Sequence, residues 1–260
     1  NKDESSTIQH LNKAQAVVYG GHLWLIGEDL NGRWARKFVD NTWQKLEFKL
    51  DSNYNTDWTQ GGHSAVAFNG YIWVAGSFIC STHATCNASI LRSADGIKWN
   101  PVKTPSAKEV MSRRSFSPMV VFDGKLWISG GDHSNHWSDV AYSDDGQTWT
   151  KTNMQLKNFA PRTEHQLVEF NGSMWLIGGA AATDNDITKT SISLKNDIWY
   201  SSEGETWQPV EDVLFTARHK HQVVIFDSGS GEEMWLIGGF GRKENDDSDG
   251  DSNHLKYEYE

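Results

Sequence analysis

Short apolar runs recur along the chain, each broken by a small polar turn and resumed with a tryptophan. The copies are VVYGGHLWLIG (17–27), VAFNGYIWVAG (66–76), VVFDGKLWISGG (120–131), LVEFNGSMWLIGG (167–179) and VVIFDSGSGEEMWLIGG (223–239). Runs of this length, rich in β-branched and aromatic residues and bounded by turn residues, predict strands. The Asn-Gly and Asp-Gly pairs predict type I′ hairpins, whose two central residues both need positive φ. In the fifth copy the turn is stretched to DSGSGEE. A second pattern follows in ILRSADGIKW (90–99), AYSDDGQTW (141–149) and WYSSEGETW (199–207), and is worn down to WARKFVDNTW (34–43) in the first copy. Here an apolar strand enters a Ser-x-Asp/Glu-Gly turn, where a carboxylate can accept from backbone amides, and the chain then reaches a second tryptophan.

Each unit therefore predicts four short strands, and Trp24, Trp73, Trp127, Trp175 and Trp235 mark a period of 49, 54, 48 and 60 residues. Four-stranded units repeated at this spacing, with no helical period, predict an all-β chain folded as a β-propeller of about five blades. The expected blades are 14–46, 62–102, 114–152, 162–210 and 218–260, in one domain. Blade five stops after NHLKYEYE (253–260), short of a fourth strand, and residues 5–11 are the candidate to close it. The blocks resemble Kelch-type blades of the galactose-oxidase and Kelch-repeat superfamily. The matching features are Gly130-Gly131, Gly178-Gly179 and Gly238-Gly239, and a tyrosine followed by a tryptophan at Tyr142 with Trp149 and Tyr200 with Trp207. The first two blades depart from the double glycine, with Gly27-Glu28 and Gly76-Ser77. The Ser-x-Asp-Gly-x-x-Trp turns also resemble sialidase Asp-boxes, one residue short of that motif.

Nine of the thirteen tryptophans sit at repeat positions, which predicts blade packing for them. Trp58 and Trp137 fall outside the pattern. In an up-and-down blade, the links between strands 2 and 3 and between blades leave on one face. Those links are the long ones here, so that face is expected to carry function. It holds Trp58, the Cys80–Cys86 stretch, His133, His136 and Trp137. The first strands begin at the same face, with Gln60/His63, Arg114/Ser117, Arg162/His165 and Arg218/His221 in register. Such arginines and histidines suit a carboxylate or sulfate ligand. They suit equally a structural role, bonding neighbouring blades, which their repetition favours.

Twenty-four Lys and Arg against thirty-four Asp and Glu give a net charge of −10, half of it within residues 244–253. That balance argues against nucleic acid and anionic membranes as partners, and no apolar run is long enough to insert in a bilayer. Asp247, Asp249 and Asp251 alternate as calcium ligands do, but Gly250 falls early and no bidentate glutamate follows. A solvated acidic loop with no cofactor is the expectation. His219 and His221 share a strand side and suit the start of a metal site, though the copper ligand set of galactose oxidase has no residue-by-residue match. Cys80 and Cys86 flank a polar loop. A local disulfide would place the chain in a secreted, periplasmic or cell-surface setting; two reduced thiols are the alternative.

No Gly-x-Ser-x-Gly, His-Glu-x-x-His or phosphate loop is present. The leading expectation is a non-catalytic propeller binding a glycan or a protein through its long-loop face. A carbohydrate-active enzyme on an acidic sugar, sialidase-like or sialic-acid-epimerase-like, would use Arg114, Arg162 and Arg218 with a converging carboxylate or histidine pair. A third possibility is an assembly module whose open blade five accepts a strand from another chain.

Overall fold

Three Asn-Gly and Asp-Gly pairs place both central residues in the left-handed region, as type I′ turns demand: Asn69 and Gly70, Asp123 and Gly124, Asn171 and Gly172. Each closes a hairpin in the register that the apolar pattern predicts. Val66 lies opposite Trp73, Val120 opposite Trp127, and Val168 opposite Trp175.

The computed structural model describes residues 14–29, 32–50, 62–80, 86–102, 115–131, 138–153, 159–182 and 192–241. Within these the chain is all-β, with no helix, in a β-propeller arrangement of four complete blades. Blade one is β1 (Gln15–Tyr19), β2 (His22–Asp29), β3 (Gly32–Val39) and β4 (Thr42–Leu46), antiparallel in chain order. Next comes β5 (Lys49–Leu50). Blade two is β6 (Ser64–Phe68), β7 (Tyr71–Cys80), β8 (Cys86–Ser93) and β9 (Lys98–Val102), and β5 joins it parallel to β9. The alternating LEFKL stretch explains this addition: Leu46, Phe48 and Leu50 pack against the core, and Phe48 stacks on Trp99 with centroids 4.8 Å apart.

Blade three is β10 (Met119–Phe122), β11 (Lys125–Ser129), β12 (Val140–Ser143) and β13 (Thr150–Lys151). Blade four is β14 (Arg162–Thr163), β15 (Gln166–Phe170), β16 (Ser173–Ala182), β17 (Ile192–Ser201) and β18 (Gln208–Pro209). Its first strand is broken in two. Glu164 sits at a φ of 57°, so β14 and β15 both pair with the long β16 rather than forming one strand. Blade five repeats that break at Lys220: β19 (Arg218–His219) pairs with β22 (Phe240–Gly241), and β20 (Gln222–Asp227) pairs with β21 (Glu232–Ile237). The expected third strand of blade five and the closing segment 5–11 lie outside the described residues.

Two compact units divide the chain, residues 1–128 with 141–151 and residues 129–140 with 152–260. In the first, apolar clusters fill the boundaries between successive blades. Val17, Trp24 and Ile26 of blade one pack with Ala65, Ile72, Val74 and Leu91 of blade two. Phe68 and Trp73 of blade two pack with Met119, Leu126 and Ile128 of blade three.

The tryptophans are held by a repeated bond. Trp24, Trp73, Trp127 and Trp175 each donate Nε1 to the carbonyl five residues earlier, at 2.8 to 3.0 Å. Trp99, Trp149 and Trp207 donate to the turn glycine three residues earlier, at 3.0 to 3.2 Å. An indole buried without such an acceptor would cost about 1–3 kcal/mol. Core packing was expected of all nine repeat tryptophans, and three depart from it. Trp43 and Trp175 are half-buried and Trp235 is 49% exposed. In blade five the extended turn directs the indole N–H to Glu233 instead, at 3.2 Å.

The second turn of each blade is built on its own side chains. The Ser93 hydroxyl accepts from Gly96 N at 2.9 Å, and Asp95 Oδ1 accepts from the amides of Ile97 and Lys98, both at 2.8 Å. Ser143 and Asp145 repeat this with Gly146, Gln147 and Thr148. In the third copy the Ser201 hydroxyl accepts from Glu203 N and Gly204 N, while the Glu203 carboxylate makes no such contact among the described residues.

Candidate functional site

The Arg-x-x-His segments lie at β14 and β19, where the backbone break at Glu164 and Lys220 sets their side chains. Four equivalent positions, Gly62, Phe116, Glu164 and Lys220, all have positive φ, although three carry side chains. Interblade backbone bonds hold them: Phe116 N donates to Gly62 O at 2.6 Å in the first unit, and Lys220 N donates to Glu164 O at 3.1 Å in the second.

Arg162 is fully buried, and its guanidinium is occupied by the protein itself. Nη1 donates to Gly178 O at 2.9 Å and to Asp197 Oδ1 at 2.6 Å, Nη2 to Asp197 Oδ2 at 2.8 Å, and Nε to Ala160 O at 3.2 Å. Burial alone would raise the Asp197 pKa; the bonds and charge of Arg162 overcome it and hold the carboxyl below its ordinary value. Arg218 follows the same scheme, donating Nε to Thr216 O and Nη1 to Gly238 O at 3.1 and 2.8 Å. These contacts turn the planar fork into the blade and away from any external anion. Asp197 did not figure among the sequence candidates. A pattern in the chain points to it: an aspartate stands three residues before a tyrosine in blades three and four, at Asp139 and Asp197.

The histidines serve the boundaries between blades. His63 in blade two is buried, with Nε2 3.0 Å from the Ile26 carbonyl of blade one. In the second unit His165 Nε2 lies 3.3 Å from Ser129 Oγ. Burial, reinforced by the Arg162 and His221 charges, drives the His165 pKa well below its ordinary value, so the ring is neutral. His221 is completely buried, and its pKa falls to about 4 through burial and the charge of Arg218, against the opposing pull of the Ile177 carbonyl. The methylene of His221 packs on Gly239, where an added Cβ would come within 2.7 Å.

One histidine–carboxylate pair does converge. His219 Nδ1 bonds Glu164 Oε2, and Lys220 Nζ lies 3.3 Å from Glu164 Oε1. Burial would raise the Glu164 pKa, but the His219 bond and the Lys220 charge hold it below the usual carboxylate range. Glu164 is therefore an ionised acceptor with both oxygens engaged. Together with Arg162 and Arg218 turned inward, this gives an ionic joint between blades four and five. Among the described residues no group of three His, Cys, Asp or Glu side chains is placed to hold a metal.

The remaining candidates divide by position. Trp58, Arg114, His133, His136, Trp137 and the acidic Asp247, Asp249 and Asp251 lie outside the described residues. Cys80 and Cys86 are direct cross-strand partners in the β7–β8 register; the expected disulfide falls on side chains outside those described.

No family model matches the sequence. Among curated proteins, the chain is 25% identical over 163 residues to Beta-scruin of Limulus polyphemus, a Kelch-repeat protein. The match covers 58% of this chain and 17% of that protein's length. The likeness and the blade arrangement together support a Kelch-like propeller.

Proposed function

We propose that this chain is a non-catalytic, Kelch-like binding module that takes a protein partner through its long-loop face. The observation that carries the reading is the commitment of Arg162: its contacts are to Asp197 and to the Gly178 and Ala160 carbonyls, so the basic residues suited to an acidic sugar act as scaffold. What a rigid, self-satisfied scaffold leaves for recognition is its loops, and the likeness to a Kelch-repeat protein points to protein–protein interaction. Trp58 and Trp137 are the anchor candidates, since tryptophan dominates binding hot spots, and His133 and His136 flank the second. The same reading places the chain outside the cell or at its surface, with Cys80 and Cys86 joined under oxidising conditions. Intact mass with and without reductant tests that bond.

The test of function compares affinity capture by the wild-type chain and by Trp58→Ala and Trp137→Ala variants. Defined protein partners are expected on the wild type and lost on the variants, at unchanged melting temperature. Glycan-array binding without protein capture would replace the partner class, and turnover of a sialoside would overturn the non-catalytic reading.

A further inference from the structure

In blades one to three, the residue that follows the two-residue hairpin turn works for its own blade. His22 Nδ1 lies 3.3 Å from the Phe38 carbonyl. Tyr71 packs edge-on against Trp73, with centroids 6.3 Å apart. Lys125 Nζ sits 5.1 Å from the centroid of the Tyr142 ring. Blade four departs from this pattern. Its residue is Ser173, opposite Phe170 in register, and the hydroxyl makes no hydrogen bond among the described residues. A small hydroxyl that the blade does not use stands where the other blades use a longer side chain.

That hydroxyl completes a triplet. Asn171-Gly172-Ser173 has the Asn-x-Ser pattern of an acceptor for N-linked oligosaccharide, whereas the equivalent Asn69-Gly70-Tyr71 and Asp123-Gly124-Lys125 do not. The fold presents the triplet at an open hairpin tip. Asn171 and Gly172 are exposed, and a Cβ built on Gly172 meets nothing within 4 Å. The tip is also held in place. Gly172 N donates to Glu169 Oε1 at 3.2 Å, and Trp175 Nε1 donates to the Phe170 carbonyl at 2.9 Å. A bulky, solvated group on Asn171 extends into water and leaves these bonds intact.

We propose that Asn171 is an N-glycosylation site. The donor is an oligosaccharide carried on a lipid diphosphate. Asn171 Nδ2 bonds to the anomeric carbon, the bond from that carbon to the diphosphate oxygen breaks, and the amide loses one proton as the lipid diphosphate leaves. Ser173 is the residue by which the transferase recognises the acceptor. The position suits the function proposed above. Strand β16 runs ten residues from Ser173 to Ala182, and link 183–191 follows at its far end. At about 3.3 Å per residue, the sugar and that long link are roughly 30 Å apart, so the glycan marks the short-turn end of the blade and leaves the long-loop end clear. The site rests on the reading that the chain is exported.

The test expresses the full chain behind a cleavable signal peptide in mammalian cells, as wild type and as Asn171→Gln, Ser173→Ala and Tyr71→Ser variants. Intact mass and peptide mapping, before and after treatment with peptide-N-glycosidase, read occupancy site by site, which keeps Asn171 apart from the chain's other such triplet, Asn87-Ala88-Ser89. The wild type is expected to carry an oligosaccharide at Asn171, lost in Asn171→Gln and in Ser173→Ala. The second variant leaves both turn residues untouched, so its loss is not one of hairpin geometry. Tyr71→Ser is expected to gain an oligosaccharide at Asn69, at the same kind of tip. A wild type whose Asn171 stays unmodified, released or retained, would overturn the proposal, as would occupancy that survives Ser173→Ala. An occupied Asn171 in a chain whose Cys80 and Cys86 stay reduced would uphold the site and count against the paired cysteines alone.

Discussion

Gly96 and Trp24 meet across the boundary between blades one and two so closely that a Cβ on residue 96 would lie 2.2 Å from Cζ3 of the indole. The relationship repeats one blade on, where a Cβ on Gly146 would come equally near the rings of Trp73. In blades two and three the turn glycine is thus the lid on the marker tryptophan of the blade before it, and its left-handed φ, 71° at Gly96 and 72° at Gly146, suits glycine as well.

Gly96→Ala and Gly146→Ala should each destabilise by about 2–4 kcal/mol, from conformational strain and overpacking together. Gly124→Ala is the control. It shares the left-handed φ but has nothing within 4 Å of the added methyl, and should cost only about 1 kcal/mol. Urea unfolding midpoints measure the difference; equal losses at all three sites would remove the lid as the explanation.

The buried pair in blade four should respond to loss of either partner. Asp197→Ala strands the Arg162 guanidinium in a site closed to solvent and should cost about 3 kcal/mol. Arg162→Ala should cost a similar amount, since it also strips a donor from Gly178 O and Ala160 O. Sulfate added to the wild type should raise the melting temperature no more than an equal ionic strength of chloride.

The buried histidines set the acid limb of stability. The unfolded chain binds the His221 proton near pH 6.5 and the folded chain only near pH 4. Stability from this residue is therefore complete above about pH 6.5 and is lost as pH falls toward 4, by up to about 3 kcal/mol. His165 shifts in the same direction and adds to the slope. Glu164 and Asp197, whose pKa values are lowered in the fold, extend the loss further into acid. His221→Gln should flatten the urea midpoint between pH 6.5 and 4 while leaving the loss below pH 4 in place.

The carboxylate turns offer a gain as well as a loss. Asp145→Ala should cost about 1–2 kcal/mol by freeing the amides of Gln147 and Thr148. Glu203→Asp should add about 1 kcal/mol by supplying the missing acceptor in the third copy. Thermal melts of both variants decide this.

The parts of this fold that were legible in the sequence are those set by local chemistry. Asn69-Gly70 and Asp123-Gly124 announce their turns because few other residues tolerate positive φ twice in succession, and the apolar alternation around them fixes the register. Strand β5 was not legible, because its two residues owe their conformation to β9, nearly fifty positions away. The register of Arg162 and Arg218 was visible while their direction was not: a side chain's orientation depends on its acceptors, and Asp197 lies 35 residues downstream. The histidine–carboxylate joint was hidden for the same reason, since Glu164 and His219 lie 55 residues apart.

The positions at Gly62, Phe116, Glu164 and Lys220 have a bearing on how such a chain can diversify. Backbone bonds join them in two pairs, Phe116 N to Gly62 O and Lys220 N to Glu164 O, and three of the four reach positive φ without glycine. An aromatic, an acid and a base occupy three of these places at a φ of 56° to 57°, and glycine the fourth at 117°. The side chains divide the work by chemistry: the Phe116 ring fills the space over Gly62, whereas Glu164 and Lys220 make an ion pair, so one backbone device carries an apolar joint between one pair of blades and an ionic joint between another.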